Sequence, residues 1–539
     1  MAAKEVLVAE KGWSNTEDLV IDELKTSRQT SGGSQRSATS YGRNHAEPAE
    51  DDAGRERIER ELDMEPQDIA RAKRKLVQTG IASATKPYTF RVDFSVLLIL
   101  VFGLLVFQLD RMNLASALTG GFAKDISVNQ NTINLGNQLM FMGIVVLEIP
   151  ANMMLQRLGP RIWISTQVCV FGLIATLQVF VKDRTGFLIT RLMLGFAEAG
   201  YIPCAAYTLS NWYTRRELAK RMSVFFFGMF GGNAISPLLA SGILQLDGMR
   251  KLKGWQWLFL LEGIFTILIG ILMFFCLPGS PDDPKPLIGP GYMRFSGHNR
   301  EVLRTRLEKD DPDRHFSQAI DLRLVWRTVS HWRRWPHYVS TFAVFSTWSP
   351  LTTYTPSIIM GLGFERVHAN ALAAVGGSFA LLVVFIMGYV SDRTNRRGAI
   401  VIGAQLCYLT VLITARQAHP HVGKWSRFVL WTAVNSFAVG YHPVHNSWVQ
   451  LNCHEARERS IAIAMWVMSA ISGLMVGTQY FRASDRPFYE TGLRTMIIMV
   501  SIGVVFAALQ TVIYVPYNAR AKKAVQEGKL AAPRAYYTP

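Results

Sequence analysis

Residues 94–118 read FSVLLILVFGLLVFQLDRMNLASAL, and this stretch decides the fold. At about 1.5 Å of rise per residue, an apolar run from Phe94 to Leu118 can cross a hydrocarbon core of about 30 Å, so it predicts a membrane-spanning helix. Asp110 and Arg111 interrupt the run, and Met112 to Leu118 resume its apolar pattern. A charge near the bilayer centre costs at least about 2.5 to 3.5 kcal/mol and normally faces a water-filled or protein-lined interior. A helix end with its charges among the headgroups is the simpler reading. The apolar continuation past Arg111 argues against it.

The rest of the chain repeats this pattern. Of 539 residues, 49% are hydrophobic and 18% charged, with the apolar residues gathered in blocks, which is a membrane-protein profile. The formal charge of +17 sits between blocks and in the tails, so contact with anionic lipid explains it better than nucleic acid does. Cys169, Cys204, Cys276, Cys407 and Cys453 fall in or beside apolar blocks without paired spacing, which excludes a disulfide framework or zinc site and leaves packing. The polar start of the chain has no short apolar core of a cleavable signal, so the first span is expected to direct insertion.

Residues 1–90 are expected to form a mostly disordered tail, with one island. From Pro66 to Thr79, Ile69, Ala72, Leu76 and Val77 share a helical face beside Arg71, Lys73, Arg74 and Lys75, which reads as a basic interfacial helix or as a solvated linker helix. After the first span, apolar blocks recur near 134–155, 162–181, 186–208, 221–244 and 257–277, completing a half from 91 to 277. A polar linker, 278–337, separates it from blocks near 338–360, 370–391, 398–415, 427–450, 461–481 and 494–516, and a tail, 517–539, follows. Six spans on each side of a linker predict an all-α membrane protein of twelve transmembrane helices in two related halves, with a substrate site near the midplane. The short turns are basic on both sides. The tails and linker hold the excess of Lys and Arg, so both termini and the linker are expected in the cytosol.

Between the eighth and ninth spans stands Gly388-Tyr-Val-Ser-Asp392-Arg393-Thr-Asn-Arg396-Arg397. Between the second and third, Asn152-Met-Met-Leu-Gln156-Arg157-Leu-Gly-Pro-Arg161 aligns on it without a gap. A small residue that lets helices approach, followed by a turn of fixed charges, suits a gate latch. A plain basic turn explains one such site but not two at matched places. Glu148, preceding Pro150 in the second span, is grouped with the gate.

These two turns resemble the signature loops of the major facilitator superfamily, and the resemblance covers about residues 90–517. Asp110-Arg111-Met-Asn113, Arg191-Leu-Met-Leu-Gly195-Phe-Ala-Glu198-Ala-Gly200-Tyr-Ile-Pro203 and Gly477-Thr-Gln479-Tyr-Phe-Arg482-Ala-Ser-Asp485-Arg-Pro487-Phe-Tyr489 look like the fungal allantoate permease family within the anion:cation symporters. Asn152 and Gln156 depart from the glycine and aspartate of the superfamily pattern, so a latch there is expected to be weaker or made differently. The resemblance implies that Asp110 and Glu198 couple protons, while Arg111 and Arg191 bind or organise an anion. It assigns no role to His442 or His445.

Spacing supports the same set independently. Arg191, Gly195 and Glu198 lie at i, i+4 and i+7, on one helix face thinned by glycine; Asp110, Asn113 and Ala117 share a face in the same way. Adjacent Asp110 and Arg111 point about 100° apart, so their partners are sought on other helices. An anion that claims an arginine takes it from its carboxylate, which then holds a proton more readily; proton and anion binding favour each other. A static ion-pair network is the bland alternative. Gln138, Trp348, Tyr354, Asn435, His442 and Gln479 are further candidates to line the cavity, with helix packing an equally simple use for them. His442 and His445 lack a third metal ligand of suitable spacing, so neither metal nor cofactor is expected. Gly228, Gly231, Gly232, Ser236 and Pro237 do not form the GPxxGG run associated with drug antiporters, which leans towards symport.

The reading is therefore a secondary active transporter: proton-coupled symport of a small organic anion, such as a carboxylate vitamin or nitrogen-containing acid, by alternating access. A proton-antiport exporter of a small metabolite and a transporter-like nutrient sensor are the alternatives. No GxSxG, phosphate loop or metal constellation points to an enzyme. The expected partners are the anion, protons and the lipid bilayer, without nucleic acid, in a plasma-membrane protein working as a monomer.

Overall fold

The computed structural model describes residues 90–289, 297–310, 322–394, 396–453, 456–486, 488–527 and 537–538. The proposed interfacial helix at 66–79 lies outside them. Among the described residues the secondary structure is helical, in twelve spans. The first half comprises α1 (Leu98–Thr119, continuing a π turn, Asp93–Leu97), α2 (Gln130–Leu158), α3 (Pro160–Leu177), α4 (Arg184–Glu198 with Tyr201–Trp212), α5 (Arg215–Ile243) and α6 (Gly254–Cys276). The second comprises α7 (Trp335–Ser346 with Trp348–Gly361), α8 (Arg366–Thr394), α9 (Arg397–Ala418), α10 (Lys424–Phe437 with His442–Leu451), α11 (Ala456–Gly477) and α12 (Glu490–Gln526). Nine of the described helical stretches are long and apolar enough to cross a membrane alone. The broken α7 and α10 and the shorter apolar part of α11 complete the set. An even number of passes puts the start of α1, the end of α12 and the α6–α7 linker on one side, called here the tail side.

Local chemistry sets the boundaries. The Asn129 side chain caps α2 by accepting from the Thr132 amide at 2.9 Å, and Gly159, at φ 79°, ends it before Pro160 opens α3. Asp183 caps α4 through the Gly186 amide at 2.8 Å.

The sequence blocks for α4, α7 and α10 are continuous, but the structure divides each. A proline ring clashes with the carbonyl four residues earlier and cannot donate to it. Pro203, Pro350 and Pro443 stand four residues after Ala199, Ser346 and Val439, at the three breaks. Proline alone does not suffice, since Pro150, Pro237, Pro356 and Pro516 lie inside unbroken helices. In α4 and α10 the proline is joined by glycine in the same pattern, Gly200-Tyr201-Ile202-Pro203 and Gly440-Tyr441-His442-Pro443, at equivalent places in the two halves. α12 extends past the expected 516 to Gln526.

The halves are tied together on the side opposite the tails. Gln130 and Asn134 of α2 each donate to the Phe481 carbonyl at 3.0 Å, and Asn370 of α8 donates to Thr119 of α1 at 2.8 Å. Arg366 reaches Asp247 at 3.0 Å and the Leu244 carbonyl at 3.1 Å. Asp247 lies outside the spans, and Arg366, aided by the Gly254 amide, holds its carboxyl below the usual aspartate range.

Candidate functional site

The site forms where α4 crosses α2. A Cβ added at Gly195 would stand 2.2 Å from the Met140 carbonyl oxygen, so only glycine permits this crossing. The glycine thinning expected from spacing is therefore physical. It brings Arg191 to Asn137, whose Oδ1 accepts from Arg191 Nη2 at 2.6 Å, and Asn137 in turn donates to Thr353 of the second half at 3.1 Å.

Seven residues later the first segment of α4 ends on Glu198, and the break exposes backbone groups that the membrane cannot hydrate. Two side chains satisfy them. Glu148 of α2 accepts from the Gly200 amide at 2.9 Å, while Gln167 of α3 donates to the Ala197 and Ala199 carbonyls at 3.0 and 2.6 Å. Gly200 itself sits at φ 78°, a left-handed conformation that favours glycine. Glu148, grouped with the gate from its place in the sequence, is thus a pin for the α4 break in the core of the first half.

Arg111 supplies the partner for Glu198. Its Nε donates to Glu198 Oε2 at 2.9 Å, and its guanidinium lies over the Phe107 ring at 4.1 Å. Nη2 makes no hydrogen bond. Arg111 also lines a small cavity between the halves, with Phe226, Phe345, Trp348, His442 and Trp466. The His442 ring is surrounded by Phe226, Phe230, Phe345 and Trp466 at centroid distances of 5.5, 6.0, 4.7 and 4.6 Å, and its Nδ1 makes no hydrogen bond. A second small cavity shares Trp348 and adds Asn435. One cation, one imidazole and a ring of aromatic faces can take a small anion with an apolar or planar body.

Asp110 and Asn113, on the neighbouring turn of α1, are buried behind this wall, and neither Asp110 oxygen makes a hydrogen bond. The structure thus gathers Asp110, Arg111, Asn113, Arg191 and Glu198 in one half, with Trp348, Asn435 and His442 facing them across the cavities. Three other candidates serve elsewhere. Tyr354 donates to Asn134, and Gln479 donates to Gln138 at 3.1 Å; both contacts tie the halves together.

The gate residues lie on the tail side. Asp392 pairs with Arg397 at 3.0 Å, Arg397 reaches Ser447 of α10 at 2.8 Å, and Arg393 donates to Tyr389 at 3.2 Å. Arg161 instead reaches Asp283 and the Lys285 carbonyl in the linker at 2.8 and 3.1 Å, while Arg157 and Arg396 are exposed. The aligned turns therefore make different contacts. The close helix approach expected at Gly388 is not met, because a Cβ there would find nothing within 4 Å.

Residues 100–478 match the Major Facilitator Superfamily. The chain belongs to that superfamily. A superfamily transporter of Penicillium expansum, cnsO, is 29% identical over 409 residues, covering 75% of this chain and 78% of its own. A protein of Agrobacterium vitis, provisionally assigned as a tartrate transporter, is 28% identical over 366 residues, covering 67% and 75%. The solved structure of a bacterial homologue of the human lysosomal transporter Spinster, inward-facing and occupied, superposes with a TM-score of 0.58 at 16% identity, covering 79% of this chain and 97% of that one. The superfamily fold is thereby shown.

Two buried polar residues of the first half escaped sequence reading. Gln167 is one polar residue among many in α3, with nothing to mark it. Glu262 carried a visible signal, as the lone charge in GWQWLFLLEGIFTILIGILMFFC.

Proposed function

We propose that this superfamily member is a proton-coupled symporter of a small organic anion, of the allantoate permease type, working by alternating access with both tails in the cytosol of a plasma-membrane protein. The observation that carries this reading is Arg111, which holds Glu198 through Nε while it lines the cavity with His442 and Trp348. An anionic carboxylate entering beside Arg111 competes with Glu198 for the guanidinium. Charge-assisted hydrogen bonds are short and strong, so the arginine serves one carboxylate well at a time. A displaced Glu198 is a buried carboxylate without its cation, and it then binds a proton more readily. Anion and proton arrive together, and the neutralised cluster can move through the midplane.

The Agrobacterium relative, provisionally assigned as a tartrate transporter, is in keeping with transport of an organic acid. The test is uptake of labelled tartrate, nicotinate, allantoate and pantothenate into proteoliposomes under an inward proton gradient. At least one acid is expected to accumulate, and Asp110→Asn and Glu198→Gln are each expected to abolish the dependence on the gradient at wild-type reconstitution levels. Uptake unchanged in both variants would overturn the coupling assignment. Expulsion of an acid loaded inside vesicles, driven by an inward gradient, would establish antiport instead.

A further inference from the structure

Among the described residues, the buried charges of the first half do not balance. Asp110, Glu148 and Glu198 are each 1% exposed and Glu262 3%, against two guanidiniums, Arg191 at 1% and the Arg111 side chain at 11%. Glu198 has Arg111 and Glu148 has the Gly200 amide. Asp110 and Glu262 are left, and none of their four carboxylate oxygens makes a hydrogen bond.

These two acids are neighbours. Asp110 lies within electrostatic range of Glu262, Glu198 and Arg191, and the Asn113 amide sits beside Glu262 without a well-formed hydrogen bond. α3 packs along the same stretch of α6, but at Gly263 and Gly270 it presents Thr176 and Cys169, which bring no charge. The charged groups within range of Asp110, besides Glu262, are Glu198 and Arg191 of α4. The Arg191 guanidinium bonds Asn137, and Glu198 has Arg111. An unpaired buried carboxylate costs several kcal/mol, which protonation removes. α6 has no structural need of the acid, since Thr266 bonds only the Glu262 backbone carbonyl.

We propose that Glu262 is a second proton-binding site of the carrier, coupled by proximity to Asp110, so that the cluster can hold two protons and, once one carboxylate has ionised, the other keeps its proton more tightly. The two residues behave as a pair: ionising one raises the cost of ionising the other. This assignment extends the proton-coupled reading, with Glu262 as the storage site behind the Arg111–Glu198 pair.

Infrared difference spectroscopy of the full-length protein in lipid, titrated with protons alone, tests it. The wild type is expected to show two protonated-carboxyl C=O components that lose intensity in sequence as pH rises. Glu262→Gln, which keeps the shape of the protonated acid, is expected to remove one component and to shift the loss of the remaining one to lower pH than the second wild-type step, because the repelling charge is gone. Should Glu262→Gln fail to assemble, Asp110→Asn is expected to leave a single component belonging to Glu262. A carboxyl spectrum unchanged in Glu262→Gln, or one that does not titrate with pH, would overturn the proposal. No substrate is added, so failure of the symport reading shows in uptake and failure of this one in the spectrum.

Discussion

Replacing Gly195 by alanine tests whether the α2–α4 crossing holds the site. The added Cβ would lie 2.2 Å from the Met140 carbonyl oxygen and 2.9 Å from the Met140 carbonyl carbon and Cα, where ordinary contact begins at 3.4 Å. The obstacle is backbone, so no side chain can swing away. α4 must retreat by about 1.2 Å, the gap between 2.2 and 3.4 Å. Directed along the Arg191–Asn137 bond, that retreat would stretch 2.6 Å to about 3.8 Å, beyond the usual N–H···O limit of about 3.2 Å. Overpacking of this kind costs about 1–3 kcal/mol, which for a half of this size lowers the melting temperature by roughly 2–12 °C. Gly388→Ala is the control, since its Cβ meets nothing within 4 Å and a helix interior favours alanine over glycine. Tryptophan-fluorescence melting of the purified protein and proton-driven uptake should both fall for Gly195→Ala and hold for Gly388→Ala. Equal melting and equal uptake in the two variants would refute the reasoning.

Four further outcomes follow from other contacts. Gln167→Leu strands the Ala197 and Ala199 carbonyls at the α4 break, so stability should drop by about 1–3 kcal/mol in the same melting assay. Arg334→Met removes the 2.7 Å contact with Glu458 on the tail side; a loss of about 1–3 kcal/mol is expected, with low surface expression as the readout. Gln138→Cys with Gln479→Cys should be bridged by a short bis-methanethiosulfonate crosslinker that stops transport until reduced, because this pair spans the two halves. In that cysteine pair, Asp247→Asn should slow crosslinking by loosening the Arg366 tie. The Asp247 carboxyl is held below its usual value of about 3.9, so its tie is fully present above that value and is lost as pH falls through the lower folded value. Crosslinking rates measured across acidic pH check the sign.

Much of the site was legible in the chain because a membrane makes charge conspicuous. Asp110, Arg111, Arg191 and Glu198 stood out against apolar helices, and the i, i+4, i+7 rule correctly placed Gly195 between the last two. Tyr354 and Gln479 were legible as polar but not as ties between halves, because periodicity gives the face of a helix and not its neighbour. Glu148 was read for a gate by position, whereas its role depends on a backbone amide that is free only because α4 breaks beside it.

The sequence by itself determined the number of spans, the two-half plan and which helices carry buried charge, since hydrocarbon admits few polar groups and each exception is visible in one dimension. Only the tertiary structure decided the pairings of Arg111 with Glu198 and of Arg191 with Asn137, and the nearness of Asp110 to Glu262. The Arg191–Asn137 contact depends on how closely α4 and α2 pack, and that distance is set by which atoms meet at Gly195 and Met140, residues far apart in the chain.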